Sequence, residues 1–363
     1  PAGNNKRQYL LKYFNAAGYG MGFKPQVSPV EGGGRTPNAR FQEAMAQELP
    51  WLLKHDFYVR GHNLVWEGPT FLHRSQQRVL RDESLSDAEK GEKIFSMAAN
   101  NFHYAIKRWD VDCWDVINEP RANHVINDLL PDTNTFVQWF RLAGELRKQY
   151  GRPDMKLYYN EYQIISHVFN RYEQYRDNYM GHIQDLIDAG APIEGIGFQY
   201  RMKKYLPPET QWERLKEFEK FGLPLHATEF EAMGDKEKAQ RNLPTFSDAE
   251  RKRITAECMT IFFSHPLADG FWHWSWTDRQ QRSRNRFPYA LMSWEGEPRA
   301  EMEQWMKMME RDFNTDVTRK TGTDGTARVR GFKGIYKITV GEGKDATTAV
   351  VKLEEDTHKE LFL

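Results

Sequence analysis

Two glutamates, Glu119 and Glu229, are the residues best suited to chemistry in this sequence. Each follows a short run that favours a β-strand, Trp114–Asn118 in one case and His226–Thr228 in the other. Two facing carboxyl groups can cleave a glycosidic bond, one protonating the leaving oxygen and the other attacking the anomeric carbon, with retention at a separation of about 5 Å. One of the two must stay protonated before attack. A single glutamate at a strand end is more often structural, but this pair predicts catalysis.

Polar and aromatic side chains near these runs could hold a sugar. Asn118 directly precedes the first glutamate and could bond the 2-hydroxyl of the attacked sugar. His62 and Trp66 end another β-rich run, where a histidine suits a structural role about as well as a sugar contact. The run 270–276 supplies three indoles, some of which should fill the interior while one or two act as sugar platforms. We predict substrate contacts from His62, Trp66, Asn118, Trp272 and Trp274.

The elements that must position these residues alternate between short apolar runs and amphipathic helical patterns. The predicted strands span 13–17, 58–66, 113–118, 157–160, 195–199, 224–229 and 270–276. The predicted helices span 4–12, 38–54, 87–107, 135–150, 171–189, 209–221 and 247–264, with Ser86 as the N-cap of the third. Repeated β–α units predict an α/β fold, a (β/α)8 TIM barrel, whose active site lies at the carboxyl ends of the strands.

The seven strand runs are one short of the eight in a closed barrel. We interpret the first strand as missing from this sequence, upstream of the opening helical stretch; a seven-stranded open arrangement is the alternative. The barrel is predicted to span 1–314. Residues 315–363 are predicted to form a small β appendage with strands at 328–330, 334–340 and 347–353. A segment of that size is too small for a robust core of its own.

Composition and charge exclude several classes of protein. Lysine plus arginine equals aspartate plus glutamate at 51 each, so no overall field favours nucleic acid or an anionic membrane as a partner. No apolar run approaches the roughly 20 residues that cross a bilayer. The opening Pro1–Gly3 is typical of a mature or trimmed chain rather than a signal peptide. Cys113 and Cys258 have no metal-ligand spacing, and both two buried thiols and one disulfide are open.

As an ordered set, the motifs resemble those of glycoside hydrolase family 10, best known for endo-β-1,4-xylanases. The segments that carry the resemblance, between about 14 and 314, are Phe14–Asn15, Lys24, 60–66 (Arg-Gly-His-Asn-Leu-Val-Trp), 114–120 (Trp-Asp-Val-Ile-Asn-Glu-Pro), 159–162 (Tyr-Asn-Glu-Tyr), 197–199 (Gly-Phe-Gln) and 228–231 (Thr-Glu-Phe-Glu). Segment 330–336 resembles a β appendage of some members. The resemblance implies that Glu119 is the general acid/base and Glu229 the nucleophile. The residues that would shape the subsite of the attacked sugar are Lys24, His62, Trp66, Asn118 and Gln199. It also implies a polysaccharide partner and no metal or organic cofactor.

Three departures from the family pattern bear on the substrate. The segment Gly20–Gly22 stands where the family has Glu-Asn-Glu, which normally grips the next sugar on the non-reducing side. Arg201 replaces a histidine that supports the nucleophile, and a fixed positive charge beside Glu229 would favour its ionised form. Glu231 replaces an aspartate. The catalytic pair is thus retained while the residues that read the sugar have changed.

Basic residues crowd two segments of the predicted catalytic face. They are Arg279, Arg282, Arg284 and Arg286 after one strand, and Arg201, Lys203 and Lys204 after another. Arginine suits bidentate capture of carboxylate or sulfate, so an acidic or sulfated polysaccharide is an alternative to xylan. The other interpretation is a solvated loop whose arginines pair with Asp278, Glu295 and Glu297.

Two further functions compete with an active hydrolase. One is a catalytically retired carbohydrate-binding protein, which the lost Glu-Asn-Glu segment favours. The other is a metal-dependent hydrolase, which is weak because no histidine pair has ligand-like spacing at a strand end. A polymer substrate predicts a secreted protein or one in the cell envelope or periplasm. The sequence makes no prediction about oligomeric state.

Overall fold

The computed structural model describes residues 2–18, 20–28, 39–167, 170–234, 246–278 and 289–355. The chain divides into two compact units, Pro1–Glu303 and Gln304–Leu363. The first contains the predicted barrel strands, and the second contains the segment predicted as a β appendage.

The first unit is built on one parallel sheet whose seven strands follow one another in chain order. They are β1 (Ala16–Gly18), β2 (Tyr58–Val65), β3 (Cys113–Asn118), β4 (Lys156–Tyr162), β5 (Gly195–Gln199), β6 (Leu225–Phe230) and β7 (Ala268–His273). Every adjacent pair is parallel, so all the carboxyl ends lie at one edge. The predicted α/β class and barrel architecture are confirmed. Seven strands are present in the described part of the unit, and the position of an eighth stays a prediction.

Helices separate the strands along the chain. They are α1 (Ala2–Tyr13), α2 (Ala39–Lys54), α3 (Arg74–Leu80), α4 (Asp87–Arg108), α5 (Val125–Leu129), α6 (Thr135–Gln149), α7 (Tyr172–Asp188), α8 (Pro208–Lys216), α9 (Asp248–Ser264) and α10 (Ala300–Lys307). Ser86 caps α4 as predicted, because its side chain accepts from the backbone N–H of Glu89 while the Glu89 carboxylate accepts from Ser86. Ser247 and Glu250 form the same reciprocal cap on α9.

The core lies on both faces of the sheet. Strands β3, β5 and β6 are buried at every position, which is typical of a parallel sheet covered by helices. Leu215 and Phe218, which recur at helical spacing, are fully buried and pack into this core. Cys113 and Cys258 are both buried and free, which decides for two thiols.

Two strand boundaries differ by three residues from the sequence-based expectation because strand pairing sets them. Tyr13 belongs to α1, and β1 begins only at Ala16, where pairing with Tyr58 starts. The strand predicted at 270–276 ends at His273, opposite Phe230, which is the last pair between β6 and β7. The segment 274–276 therefore lies beyond the strand.

The second unit contains a two-stranded antiparallel sheet of β8 (Gly334–Val340) and β9 (Thr347–Leu353). Both strands were predicted. The strand predicted at 328–330 is wrong: these residues are exposed and outside any strand, and within the described part of the unit β8 pairs with β9 alone. Alternation of residue types is not sufficient, because a strand also needs a neighbour for its backbone N–H and C=O groups.

Candidate active site

Glu119 and Glu229 lie at the carboxyl ends of β3 and β6 and line one cavity of about 320 Å³. Glu119 directly follows β3 and has a φ of 55°, a left-handed conformation that turns the chain out of the strand. The other predicted site residues at this cavity are Lys24, His62, Trp66, Asn118, Gln199, Arg201 and Trp274. The fold thus brings together every predicted site residue except Trp272.

The surroundings of Glu119 favour its protonated form. Burial raises the pKa of this carboxyl above its usual range, and the nearby charge of Glu229 acts in the same direction. Gln199 opposes them by donating a hydrogen bond of 2.6 Å from Nε2 to Oε1 of Glu119. Asn123 donates to the backbone oxygen of Glu119 at 3.0 Å and so fixes the turn that carries it. Glu119 is thus a partly buried acid that accepts a hydrogen bond from the Gln199 amide.

Glu229 differs from Glu119 because it is paired with a guanidinium. Arg201 donates to Oε2 of Glu229 from Nε at 3.1 Å and from Nη2 at 2.8 Å. Oε1 lies 3.9 Å from Nε2 of His62 and accepts a bond of 3.3 Å from Asn160. The two carboxyls of the cavity are therefore held in different environments.

Arg201 is itself held by a second carboxylate. Its Nη1 donates to Oε2 of Glu231 at 2.8 Å, and its guanidinium lies 4.7 Å from the centre of the Trp274 ring. Burial raises the pKa of Glu231 to about 7, although Arg201 and a hydrogen bond from Ser275 work against that rise. The two residues that depart from the family pattern thus contact each other, and Arg201 bridges Glu229 and Glu231.

His62 is oriented from below by a buried ion pair. Its Nδ1 lies 2.8 Å from Oδ2 of Asp115, and Arg60 binds both oxygens of the same carboxylate. Although burial opposes it, the charge of Arg60 and the hydrogen bonds of His62 and Arg60 hold the pKa of Asp115 below its usual range. With Nδ1 fixed in this way, Nε2 of His62 points towards Glu229.

Asn160 connects β3, through Asn118, with β6, which contains Glu229. Its Nδ2 donates to Oδ1 of Asn118 at 2.9 Å and to Glu229 at 3.3 Å, and its Oδ1 accepts from Thr228 at 2.6 Å. These contacts fix the amide plane of Asn118. The Asn118 Nδ2 donor is buried and has no hydrogen-bond partner among the described residues. It is available for a substrate hydroxyl.

Aromatic rings and a lysine form one wall of the cavity. Trp66 stacks on Phe71 with ring centres 3.6 Å apart. Nζ of Lys24 lies 4.5 Å from the Trp66 ring centre and 5.6 Å from that of Trp274. Burial lowers the pKa of Lys24, although Glu229 and Glu119 counteract it. A cation between two indoles presents a donor and two apolar ring faces to a ligand.

The structure does not bring Trp272 to the cavity. Its ring centre lies 4.6 Å from that of His226 and 5.4 Å from the Arg60 guanidinium, inside the barrel. Gly270 makes room for the indole, because a Cβ built there would lie 1.9 Å from it. Trp272 belongs to β7 and points into the barrel. Trp274 lies beyond the end of β7 at His273 and reaches the cavity.

The departure at Gly20–Gly22 leaves little space for side chains. A Cβ on Gly20 would lie 3.3 Å from the Trp274 ring, and a Cβ on Gly22 would lie 2.9 Å from the Phe41 oxygen. Of the basic segments, Lys203 lines the cavity, whereas Arg279, Arg282, Arg284 and Arg286 lie outside the described residues. Asp278 pairs with Arg299.

Four lining residues were not identified as site residues from sequence. They are Phe71, Tyr162, Gln163 and Ser166. Tyr162 is the last residue of β4, and Gln163 and Ser166 follow it, so the rule that sites lie at the carboxyl ends of strands could have found them. Phe71 lies in an irregular segment after β2, and its place against Trp66 depends on how that segment folds back.

The described residues contain no group of three or more His, Cys, Asp or Glu side chains arranged to hold a metal ion. They also contain no helix long and apolar enough to cross a membrane.

Comparison with known proteins places the chain in a family. The sequence profile of the family described as Glycosyl hydrolase family 10 matches residues 3–298. The chain is 28% identical over 193 residues to endo-1,4-beta-xylanase A of Halalkalibacterium halodurans, covering 49% of this chain and 46% of that protein. It is 26% identical over 222 residues to a thermostable celloxylanase of Thermoclostridium stercorarium, covering 56% of this chain and 53% of that protein. The chain thus spans about half the length of these curated relatives.

Solved structures with the same fold include known xylanases. Xylanase 10B of Thermotoga petrophila in complex with xylobiose matches with a TM-score of 0.62 and 20% identity, over 85% of this chain and 89% of that one. Xylanase10C of Cellvibrio japonicus matches with a TM-score of 0.64 and 16% identity, over 84% of this chain and 66% of that one. The chain belongs to glycosyl hydrolase family 10.

Proposed function

We propose that this protein is a retaining glycoside hydrolase that cleaves a β-linked polysaccharide by double displacement, with endo-β-1,4-xylanase-like activity. The observation that carries the proposal is the contrast between the two carboxyls of one cavity. Burial favours the protonated form of Glu119, whereas Arg201 binds Glu229 through two hydrogen bonds suited to a carboxylate. An acid and a nucleophile are what retaining cleavage needs.

The proposed reaction has two steps, with a different role for each carboxyl. Glu119 first donates its proton to the leaving glycosidic oxygen while Glu229 attacks the anomeric carbon. Because Oε2 of Glu229 is occupied by Arg201, Oε1 is the attacking oxygen. Glu119, now ionised, then takes a proton from a water molecule, whose oxygen attacks the anomeric carbon and releases Glu229. The unpaired Nδ2 of Asn118 would hold the 2-hydroxyl through both steps.

Xylan is the proposed substrate. The relatives described above are named as xylanases or a celloxylanase, and one of the related structures contains xylobiose. The rings of Trp66 and Trp274 offer apolar faces to a pyranose, and Lys24 and His62 offer donors to its hydroxyls. The glycines at 20 and 22 supply no side-chain donors, so this chain must bind the neighbouring sugar with fewer hydrogen bonds than the family pattern.

The test is hydrolysis of a panel of polysaccharides by the wild type, Glu229→Ala and Glu119→Ala. Wild-type cleavage of one polymer, abolished in Glu229→Ala, would support the proposal. The first-formed anomer, followed by NMR, should have the configuration of the substrate. Azide should restore turnover of an activated aryl glycoside by Glu119→Ala, with an azide product of retained configuration. Inverted product, or equal cleavage by wild type and Glu229→Ala, would refute it.

A second candidate substrate is an acidic or sulfated polysaccharide. Lys24, Arg201 and Lys203 place three cationic side chains at the cavity, and Arg201 is paired there with Glu229 and Glu231. The panel therefore includes neutral xylan, glucuronoxylan and sulfated galactans at several salt concentrations. Faster, salt-sensitive cleavage of the charged members would favour this candidate; equal, salt-insensitive rates would exclude it. Binding without cleavage by both wild type and variants would favour a retired carbohydrate-binding protein.

The proposal includes a location outside the cytoplasm. Polysaccharide substrates are polymers that a cell meets outside its membrane, so we expect a secreted or cell-envelope protein. Activity measured in separated culture medium, periplasm and cytoplasm tests this, and activity confined to the cytoplasm would contradict it.

A further inference from the structure

A buried carboxyl outside the catalytic pair lies directly beneath the turn that carries Glu119. Glu161 belongs to β4 and is completely buried. Its Oε1 accepts the backbone N–H of Tyr162 at 2.9 Å, and its Oε2 accepts the backbone N–H of Arg121 at 3.1 Å. Both oxygens are therefore used by the chain itself. Burying a carboxyl costs free energy, so we expect a glutamate buried here to do more than accept from two backbone amides.

The bond to Arg121 fixes a turn with few other tethers to β4. The backbone N–H of Glu119 donates to the Asn160 oxygen at 2.9 Å. Pro120 has no N–H to donate. Within residues 119–121, the backbone N–H groups are thus those of Glu119 and Arg121, and the bond from the second of them ends on Glu161. Since Glu119 is in a left-handed conformation, the turn depends on such restraints.

The same carboxyl also holds the part of the cavity lining that follows β4. Tyr162, whose N–H it accepts, lines the cavity together with Gln163. The Arg121 guanidinium lies 4.4 Å from the Tyr162 ring centre and 3.6 Å from that of Tyr175. Glu161 thus accepts from the main chain of Arg121 and from that of Tyr162, whose ring lies against the Arg121 guanidinium.

We propose that Glu161 is a positioning residue for acid catalysis: through the N–H of Arg121 it sets the place of the Glu119 carboxyl against the leaving oxygen. Proton transfer requires heavy atoms at about 2.6–3.2 Å, so a small displacement of the turn weakens protonation before it affects sugar binding. Attack by Glu229 on β6 does not depend on this turn.

The electrostatics of the site are compatible with this role. Burial raises the pKa of Glu161 to about 8, against the opposing effect of its two backbone hydrogen bonds and of Arg121. The raised pKa lowers the fraction of Glu161 that is ionised near neutral pH, and so lowers the average negative charge beside Glu119.

This inference rests on the proposed function, and leaving-group dependence tests it. A phenolate is a poor leaving group that needs the proton of Glu119, whereas 2,4-dinitrophenolate leaves without it. Phenyl and 2,4-dinitrophenyl β-xylobiosides share a glycone, so kcat/KM on the two isolates acid catalysis. Since general acids contribute roughly 10²–10⁴-fold, we expect Glu161→Ala to lower kcat/KM for the phenyl substrate at least about 10-fold more than for the dinitrophenyl one. Glu161→Gln, which keeps one acceptor oxygen at the same reach, should restore most of the loss.

The matched control is Glu67→Ala. Like Glu161, Glu67 is a fully buried carboxyl that accepts from two backbone N–H groups, those of Ile126 and Asn127. Glu67 lies just beyond β2 and does not line the cavity. It should lower the melting temperature without changing the ratio between the two substrates. If Glu161→Ala does not fold, Glu161→Asp replaces it, since its shorter side chain withdraws the acceptor and should change the ratio as well.

The outcomes separate the inference from the proposed function. Wild-type turnover of both substrates, with a ratio that changes only in the Glu161 variants, supports the inference. Turnover of both with an unchanged ratio in every Glu161 variant overturns it and leaves the proposed hydrolase standing. The same conclusion follows if Glu67→Ala shifts the ratio equally. If the wild type hydrolyses neither substrate, the proposed function fails and the inference fails with it.

Discussion

Replacing Arg201 with methionine should convert the enzyme into one that accumulates its covalent intermediate. Arg201 places Nε at 3.1 Å and Nη2 at 2.8 Å from the same oxygen of Glu229. When the glycosyl–enzyme bond breaks, charge returns to this carboxylate, and Arg201 stabilises it. When the bond forms, charge is lost, and the same contact opposes the step. The substitution should therefore slow the second step more than the first.

The size of the effect follows from the hydrogen bonds that are removed. Hydrogen bonds to charged groups contribute about 1.5–3 kcal/mol, which corresponds to a second step slower by roughly 10- to 150-fold. Rapid mixing with 2,4-dinitrophenyl β-xylobioside should show a burst of one phenolate per active site, followed by slow turnover. Mass spectrometry of the intact protein should detect the adduct.

Two controls make the result interpretable. Arg81→Met removes an exposed arginine at the end of α3 and should leave the kinetics unchanged. Because Arg201 also pairs with Glu231, Arg201→Met will lower stability, so rates are compared well below the melting temperature of each variant. Slow turnover without a burst or adduct would mean that the first step lost as much as the second, and the reasoning would be refuted.

Three further results are expected. Gln199→Ala removes the donor that opposes the raised pKa of Glu119, so the alkaline limb of kcat/KM should move to higher pH; a limb that stays or moves down would contradict this. Burial raises the pKa of Glu67 to about 7, so the folded state holds a proton that the unfolded state loses above its ordinary pKa of 4.5. Relative to Glu67→Gln, the wild type should lose about 3 kcal/mol of unfolding free energy as pH rises through that window, measured by urea unfolding. Trp274→Ala should raise KM whereas Trp272→Ala should mainly lower the melting temperature, and a larger KM effect at Trp272 would contradict their placement.

Much of the barrel could be predicted because local pattern and tertiary environment agree. The β-favouring run of β3 and the Ser86 cap of α4 are strong local signals, and both were predicted correctly. The placement of Glu119 and Glu229 followed from the rule that parallel strands share one carboxyl edge. The strand predicted at 328–330 was wrong because this segment has the alternation of a strand but no neighbouring strand among the described residues.

What the sequence could not predict were contacts between elements that are distant along the chain. Nothing local distinguishes Trp272 from Trp274, since their different environments depend on where β7 stops pairing with β6. The pairing of Arg201 with Glu231 likewise became visible only when β5 and β6 lay side by side. Such contacts need the register of neighbouring strands, which short-range pattern does not contain.

Arg201 and Glu231 are two of the three departures from the family pattern, and the contact between them gives both a common explanation. A guanidinium that bound Glu229 alone could rotate and occupy both of its oxygens, leaving none for the anomeric carbon. Glu231 engages Nη1, so only Nε and Nη2 are directed at Glu229, and both donate to Oε2. Glu231 is in turn held by Ser275, which prevents it from following Arg201 into the cavity. An arginine beside the nucleophile is therefore compatible with attack through Oε1 because a second glutamate restrains it.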